Sequence, residues 1–433
     1  MNFIEELRWR GLLFQEIPGT EDFLNENKVA GYLGVDPTSD SMHIGNLVSV
    51  MLLVHLQRAG HTPFALVGGA TGMVGDPSGK DQERQLLSVE QIEHNVACIR
   101  KQLEHFLDFE AKDNPAQMVN NYDWFKNISF LEFLRDAGKH LTINYMMSKE
   151  SVKKRLQGDS GISYTEFAYQ LLQGYDFYHL YKNHDVKIQV GGSDQWGNIT
   201  TGLELIRRKL GSEAKAYAVV CPLITNADGK KMGKTAGGQS VWLDPKRTSP
   251  YQFYQYWVNL SDIDAERYIK IFTLKTKEEI EALVAEHTGN EWQKNLQKAL
   301  AEDVTLRVHG EKGLKSARKL TSFFYSQNTD YESLADLSAE EWEEISLASR
   351  DIKRIPAEKM GDGIGILDLM VELDIASSKG EARRAIEKDK SVKLNNQAFT
   401  DSTAEVKKDD LFHDSYFQIQ KGKKNRYIVV VES

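Results

Sequence analysis

The sequence predicts an α/β fold: a doubly wound parallel sheet, then an α-helical domain, then a small α+β module. Three observations carry this. Residues 29–35 and 63–67 are short strand-like runs that enclose an apolar helical stretch at 44–59. Residues 187–190 and 216–220 give a second strand–helix–strand unit around a helix at 198–210. From Ser249 to about Phe324 the β-branched clusters give way to a helical period with acid–base pairs, and strand character returns near the end, at 427–431.

In the first unit Leu47, Val48, Met51, Leu52 and Leu56 place apolar groups on nearly every side, the pattern of a buried helix rather than a surface one. A strand, a helix and a second strand in that order open a parallel sheet. Residues 1–225 are therefore expected as one doubly wound domain and 226–247 as a mobile loop carrying lysines. Residues 248–325 are expected as an α-helical domain. Between 329 and 349 stand seven acidic residues and no Lys or Arg, so 326–360 is expected as a linker, with 361–433 the closing module.

At 433 residues, 41% hydrophobic and 27% charged with nine prolines, the chain has the make-up of a folded protein of two or three domains. Cys98 and Cys221 stand far apart, which implies neither a disulfide framework nor a zinc site and fits a reducing cytosol. The first residues carry Glu5 and Glu6 where a targeting peptide is basic, and no apolar run is long enough to span a bilayer, so a cytoplasmic protein is expected. With a net charge of −9, any nucleic-acid partner must be held by local basic patches.

Two clusters are the most informative. His43-Ile44-Gly45-Asn46 follows the turn Asp36-Pro37-Thr38 at the head of the buried helix, with Asp40 or Ser41 the expected cap. A helix N-terminus offers free N–H groups and a partial positive charge to a phosphate, and Gly45 leaves room for close approach. Lys231-Met232-Gly233-Lys234-Thr235 lies in a glycine-rich loop. Alone, the first reads as a capping turn and the second as an exposed hairpin. Together they bring an imidazole, an amide and two lysines to where a triphosphate develops negative charge. Gly68 to Lys80 imitates a P-loop but has Val74 and Asp81 where glycine and Ser or Thr are needed, and Gly233-Lys234-Thr235 has Asp228 five residues before it. Neither is a P-loop. Lys80 and Arg84 could close over pyrophosphate or belong to a solvated loop.

Ser163-Tyr164-Thr165-Glu166 begins another helix, in which Tyr169, Gln173 and Asp176 recur at i, i+4 and i+7 and share one face. A phenol, an amide and a carboxylate in line make either a pocket for a small polar molecule or a solvated face. Gly191-Gly192-Ser193-Asp194-Gln195 ends the next strand, where open α/β sheets bind ligands. Asp194 suits ribose hydroxyls there and Gln195 an amine or carboxylate. Near the end, Lys379, Arg383 and Arg384 form a basic stretch, and Lys423 and Lys424 another; both suit RNA phosphates or simple solubility.

At these residues the chain resembles the bacterial-type tyrosyl-tRNA synthetases over essentially its whole length. That family's His-x-Gly-His and Lys-Met-Ser-Lys-Ser motifs correspond to His43–Asn46 and Lys231–Thr235, and the segments 66–72, 76–80 and 191–198 are similar to it almost letter for letter. The resemblance implies a nucleotide-binding sheet domain, an RNA-binding closing module and a ligase for tyrosine, ATP and tRNA(Tyr). Tyr32 and Asp176 would bond the phenolic hydroxyl of tyrosine, while Tyr169, Gln173, Asp76 and Gln195 would hold its ammonium and backbone. Thr38, His43 and Asn46 would contact ATP, Gly192 and Asp194 its ribose, and Lys80, Arg84, Lys231, Lys234 and Thr235 the pyrophosphate. Asn46 departs from the motif's second histidine, though an amide N–H can donate in its place. Mg2+ would accompany ATP, with no zinc. A homodimer is implied, with neither membrane nor DNA as partner. The alternatives are the tryptophan-specific sibling and a non-catalytic RNA-binding protein on the same fold.

Overall fold

The computed structural model describes residues 1–78, 87–157, 161–229, 232–234, 238–325, 330–349, 351–422 and 425–432. They form two compact units, Met1–Glu311 and Lys312–Ser433.

The first unit is built on a six-stranded sheet. Its strands are β1 (Gln15–Glu16), β2 (Ala30–Val35), β3 (Thr62–Val67), β4 (Gln117–Asn120), β5 (Val186–Gly192) and β6 (Tyr217–Cys221), in the order β1-β6-β5-β2-β3-β4. Every pairing is parallel except β1 with β6. β3 and β5 are buried at nearly every residue, as a parallel sheet covered on both faces requires. The chain runs outward from β2 through β3 to β4, then returns to the far side of β2 with β5 and β6. The order therefore reverses between β2 and β5, and a crevice opens at their carboxyl ends.

The helix Ile44–Arg58 follows β2 and is buried along most of its length. The helices Tyr164–His184 and Trp196–Leu210 flank β5 in sequence and cross at two glycines. A Cβ on Gly174 would lie 3.2 Å from the Gly202 nitrogen, and one on Gly202 only 2.9 Å from Cβ of Phe177. Their absence lets the start of the second helix sit beside the middle of the first. The helices Pro250–Val258, Asp262–Phe272 and Lys277–His287 belong to the same unit as the sheet rather than to a domain of their own. Trp257 and Phe272, both fully buried, pack their rings 5.1 Å apart. The helix Asn295–Tyr325 is broken at Gly310, whose φ of +68° is non-helical, and the division into units falls just beyond it.

The second unit holds β7 (Ile352–Pro356), β8 (Ile364–Gly365), β9 (Val392–Leu394), β10 (Gln397–Ala398), β11 (Glu405–Val406), β12 (Tyr416–Lys421) and β13 (Asn425–Glu432). Five of them form a sheet in the order β10-β9-β12-β13-β7, while β8 pairs with β11. Ile366, Leu369, Ile386, Phe417 and Ile419 lie in its core. The stretch 326–360, expected as a linker, is largely part of this unit. Within it the helix Ala339–Ala348 buries Trp342 and Ile345, and β7 pairs with β13. Trp342 stacks on Phe412 and Tyr416 at 5.1 and 5.8 Å. Four of the seven acidic residues lie on that helix, and Trp342, Ile345 and Ser346 on its inner face dock it. Among the described residues no helix is long and apolar enough to cross a membrane.

Candidate active site

The crevice between β2 and β5 gathers most of the residues singled out above. On one side lies a pocket built from the middle of the helix Tyr164–His184. Asp176 is buried, and its carboxylate accepts from Asn121 Nδ2 at 3.1 Å and Trp124 Nε1 at 3.0 Å. Asn121 also donates to Thr71 Oγ1 at 3.0 Å, and Thr71 donates to Asp36 Oδ1 at 2.7 Å. The second Asp36 oxygen accepts from the Tyr169 hydroxyl at 2.7 Å. One continuous network thus runs from Asp176 to Asp36 and Tyr169. Gly68 is needed beside it, since a Cβ there would lie 2.2 Å from Thr71 Oγ1 and 2.3 Å from Asp36 Oδ1.

Asn198, 4% exposed in the first turn of its helix, is a second hub. Its amide is shared among Gln173 Oε1 at 3.0 Å and Asp76 Oδ1, Ser78 Oγ and Gln195 Oε1, each at 3.3 Å. Gln195 Nε2 donates to the other Asp76 oxygen at 2.7 Å. Asp76 therefore has both oxygens occupied and its orientation fixed before any ligand arrives.

The electrostatics are those of an acidic, desolvated pocket. Burial, then Asp36, Asp76 and Asp176 around it, push the Tyr169 phenol well above its ordinary range. Burial also raises the Asp176 carboxyl, against the bonds from Asn121 and Trp124, with Asp36 adding to the rise. Such a field attracts an ammonium. Tyr32 completes the pocket. It is 1% exposed, packs 5.4 Å from the Phe177 ring and lies within the field of Asp176, yet its hydroxyl has no hydrogen-bond partner among the described residues. A buried hydroxyl so placed is suited to a polar group brought in from outside.

The other side of the crevice is the head of the helix Ile44–Arg58. Neither Asp40 nor Ser41 caps it. His43 does so itself, its Nδ1 accepting from the Asn46 backbone at 3.3 Å while Asn46 Oδ1 accepts from the His43 backbone at 3.0 Å. The two expected caps are used elsewhere: Asp40 pairs with Arg247 at 2.5 Å, and Ser41 Oγ accepts from Asp244 at 3.1 Å. Thr38 is exposed in the preceding loop, and Gly192 and Asp194 stand at the end of β5.

The lysine loop reaches this helix head directly. The Ile44 and Leu243 backbones donate to Val241 and Met42 at 3.1 and 2.8 Å, so the chain beyond the loop pairs with the segment around His43. Val241 in turn donates to Gly233 at 2.9 Å, and a Cβ on Gly233 would lie 3.4 Å from the Gly45 nitrogen. Two clusters nearly two hundred residues apart in sequence meet at one place, with Lys234 exposed beside them. Lys80, Arg84, Lys231, Thr235, Lys423 and Lys424 lie outside the described residues. In the second unit Lys379, Arg383 and Arg384 are exposed, the first paired with Asp368 and the last with Asp389 at 3.7 Å.

Sequence reading missed Asp36 as a pocket residue and did not single out Thr71, Asn121, Trp124 or Asn198. Asp36 looked like a turn former, and the others acquire their partners only through the fold.

Comparison with known proteins identifies the family. The family model for class I tRNA synthetases (W and Y) matches residues 24–326, and that for the tyrosine–tRNA ligase SYY-like C-terminal domain matches 344–430. A tyrosine–tRNA ligase of Bacteroides thetaiotaomicron is 52% identical over 436 aligned positions, covering all of both chains, and one of Porphyromonas gingivalis is 51% identical with the same coverage. Among solved structures, a C-terminally truncated mitochondrial tyrosyl-tRNA synthetase of Coccidioides posadasii is 30% identical with a TM-score of 0.66, over 74% of this chain and 91% of that one. The acidic pocket, the paired helix-head and lysine clusters and these matches together place the chain in the class I tRNA synthetases for tryptophan and tyrosine, and within them in the tyrosine–tRNA ligases.

Proposed function

We propose that the two sides of the crevice divide the ligation of tyrosine to tRNA between them, the acidic side holding the amino acid and the helix head and lysine loop holding ATP. The observation that carries this is the buried, unpartnered Tyr32 hydroxyl in the field of Asp176, where a phenolic hydroxyl would find its partners. Asp76, Tyr169, Gln173 and Gln195 hold the ammonium and backbone of tyrosine, and Asp36 belongs with them.

Thr38, His43 and Asn46 contact the ATP phosphates and ribose, with Gly45 allowing the close approach, and Gly192 and Asp194 take the ribose. Lys80, Arg84, Lys231, Lys234 and Thr235 grip the pyrophosphate. The tyrosine carboxylate attacks the α-phosphorus and pyrophosphate leaves. The terminal ribose hydroxyl of tRNA(Tyr) then attacks the adenylate carbonyl and AMP leaves. Positioning and charge stabilisation supply the acceleration, so no side chain has to act as nucleophile. Mg2+ accompanies ATP as the counter-ion of its phosphates.

Lys379, Arg383, Arg384, Lys423 and Lys424 meet RNA phosphates. The enzyme works in the cytoplasm as a homodimer, and the homodimer is supported by Phe130, Leu131, Ile143 and Met147, apolar groups close in sequence and left 62, 71, 59 and 42% exposed. The deciding assay is amino-acid-dependent ATP–pyrophosphate exchange with tyrosine, phenylalanine and tryptophan. Exchange with tyrosine alone is the expected result. Exchange with tryptophan would overturn the pocket assignment, and no exchange at all would overturn the catalytic one.

A further inference from the structure

The helix Asp262–Phe272 is tied at its C-terminal end and in its middle, and each tie leads to one of the two phosphate-side clusters. At its far end Arg10 donates to the carbonyls of Lys270, Thr273 and Lys275 at 2.6, 2.9 and 2.7 Å. Arg307 donates to Phe272 at 2.9 Å and Arg58 to Leu274 at 3.1 Å. Three guanidinium groups thus satisfy five carbonyls in and just beyond the last turn, where a helix has orphan acceptors and a negative dipole end. These are charge-assisted bonds, stronger than neutral ones. Arg58 is the last residue of the helix that His43 caps.

In the middle of the same helix, Arg267 Nη1 and the Tyr268 hydroxyl both donate to the Thr225 carbonyl, at 3.0 and 3.1 Å. Thr225 is the root of the lysine loop. The carbonyl before it, of Ile224, accepts from the Met232 backbone at 3.1 Å, which carries the anchorage straight to Gly233 and Lys234. From the neighbouring helix Pro250–Val258, the Tyr256 hydroxyl is hydrogen-bonded to the Gly233 backbone.

We propose that the helix Asp262–Phe272 is a strut that sets the height of the lysine loop against the His43 helix, and that Arg267 and Tyr268 are positioning residues for pyrophosphate departure through their shared hold on Thr225. The inference rests on the assignment of Lys234 to pyrophosphate. Tyr268 is fully buried and its ring packs on Phe272 at 5.9 Å, so Tyr268→Phe removes the tie and keeps the packing. Arg267 is exposed, so Arg267→Gln leaves the core untouched. Neither group reaches the tyrosine pocket.

The test is kcat for tyrosine-dependent ATP–pyrophosphate exchange, beside equilibrium tyrosine binding and thermal unfolding, in the two single variants, the double variant, Arg267→Lys, and each again with Lys234→Ala. Each single variant is expected to lower kcat by about three- to tenfold, with the double lower still, at unchanged tyrosine affinity. Arg267→Lys should recover most of the loss. With Lys234→Ala the further losses should shrink, because a strut acting through that lysine has nothing left to position. An unchanged kcat in the double variant, a parallel fall in tyrosine affinity, or full additivity with Lys234→Ala would overturn the inference. Absence of exchange in the unmodified protein would remove the catalytic assignment, and the strut with it.

Discussion

Tyr32→Phe removes one oxygen from the bottom of the acidic pocket. The ring stays where it is, packed against Phe177, and what disappears is a hydroxyl without a protein partner among the described residues. A buried polar group left unpaired costs on the order of 1–3 kcal/mol. The ligand-free variant should therefore be as stable as the parent or more stable, by up to about that amount. Function should move the other way. One neutral hydrogen bond to the phenol of bound tyrosine contributes about 0.5–1.5 kcal/mol, or about 2- to 13-fold in kcat/KM. Phenylalanine forms no such bond, so its kcat/KM should not fall, and the preference for tyrosine should shrink by the same factor. Pyrophosphate exchange with each amino acid gives the ratio, and thermal unfolding of the ligand-free protein gives the stability. A destabilised variant would show that the hydroxyl has a structural partner. Equal losses for tyrosine and phenylalanine would show that it does not read the phenol.

Asn198→Ala should raise the KM for tyrosine about tenfold or more while leaving that for ATP nearly unchanged, because Asp76, Gln173 and Gln195 lose their common donor; an unchanged tyrosine KM would remove Asn198 from the site. Stability should fall in mild acid. Burial holds His61 and His309 at about 4, below the unfolded value of 6.5, so their contribution is intact above pH 6.5 and is lost as pH falls through 4. Urea midpoints at pH 7.5, 6, 5 and 4 should decline over that window, less steeply in His61→Gln, and an equal slope in that variant would refute the assignment. Leu131→Glu, at a site 71% exposed, should leave folding intact and convert a dimer to monomers in sedimentation; an unchanged sedimentation coefficient would place the interface elsewhere.

The sheet was legible because a central parallel strand is apolar throughout and a buried helix is apolar all round, signals that residues 29–67 carry locally. The face made by Tyr169, Gln173 and Asp176 was legible for the same reason, since helical spacing is a local property. The edge strands were not. β1 is two residues long, and β4, Gln117–Asn120, is polar and only partly buried. Charge misled the reading of 326–360, where the acidic run at 330–344 drew attention although Trp342 and Ile345, three apart, mark a buried face. At the helix head the sequence offered Asp40 and Ser41 as conventional caps, and the imidazole of His43 took the place because the fold commits those two to Arg247 and Asp244. Asn198 was invisible as a hub because its partners Asp76 and Ser78 lie more than a hundred residues away in sequence.

The cap by His43 and Asn46 also bears on the motif's departure from two histidines. Asn46 uses its side-chain oxygen on the His43 backbone, which leaves its Nδ2 hydrogens, the donors that an imidazole N–H would otherwise supply, aimed away from that bond. A histidine at this position would have to give up a ring nitrogen to make the same cap. The amide thus caps the helix through its oxygen and keeps both N–H donors out of that bond. The acidic side is arranged alike: Asp36, Asp76 and Asp176 each accept from neutral neighbours, so their carboxyl groups are oriented in advance. Preorganisation on both sides of one crevice, with the chain beyond the lysine loop joined to the helix head by backbone bonds and by the Ser41 and Asp40 side chains, is the arrangement a reaction driven by positioning requires.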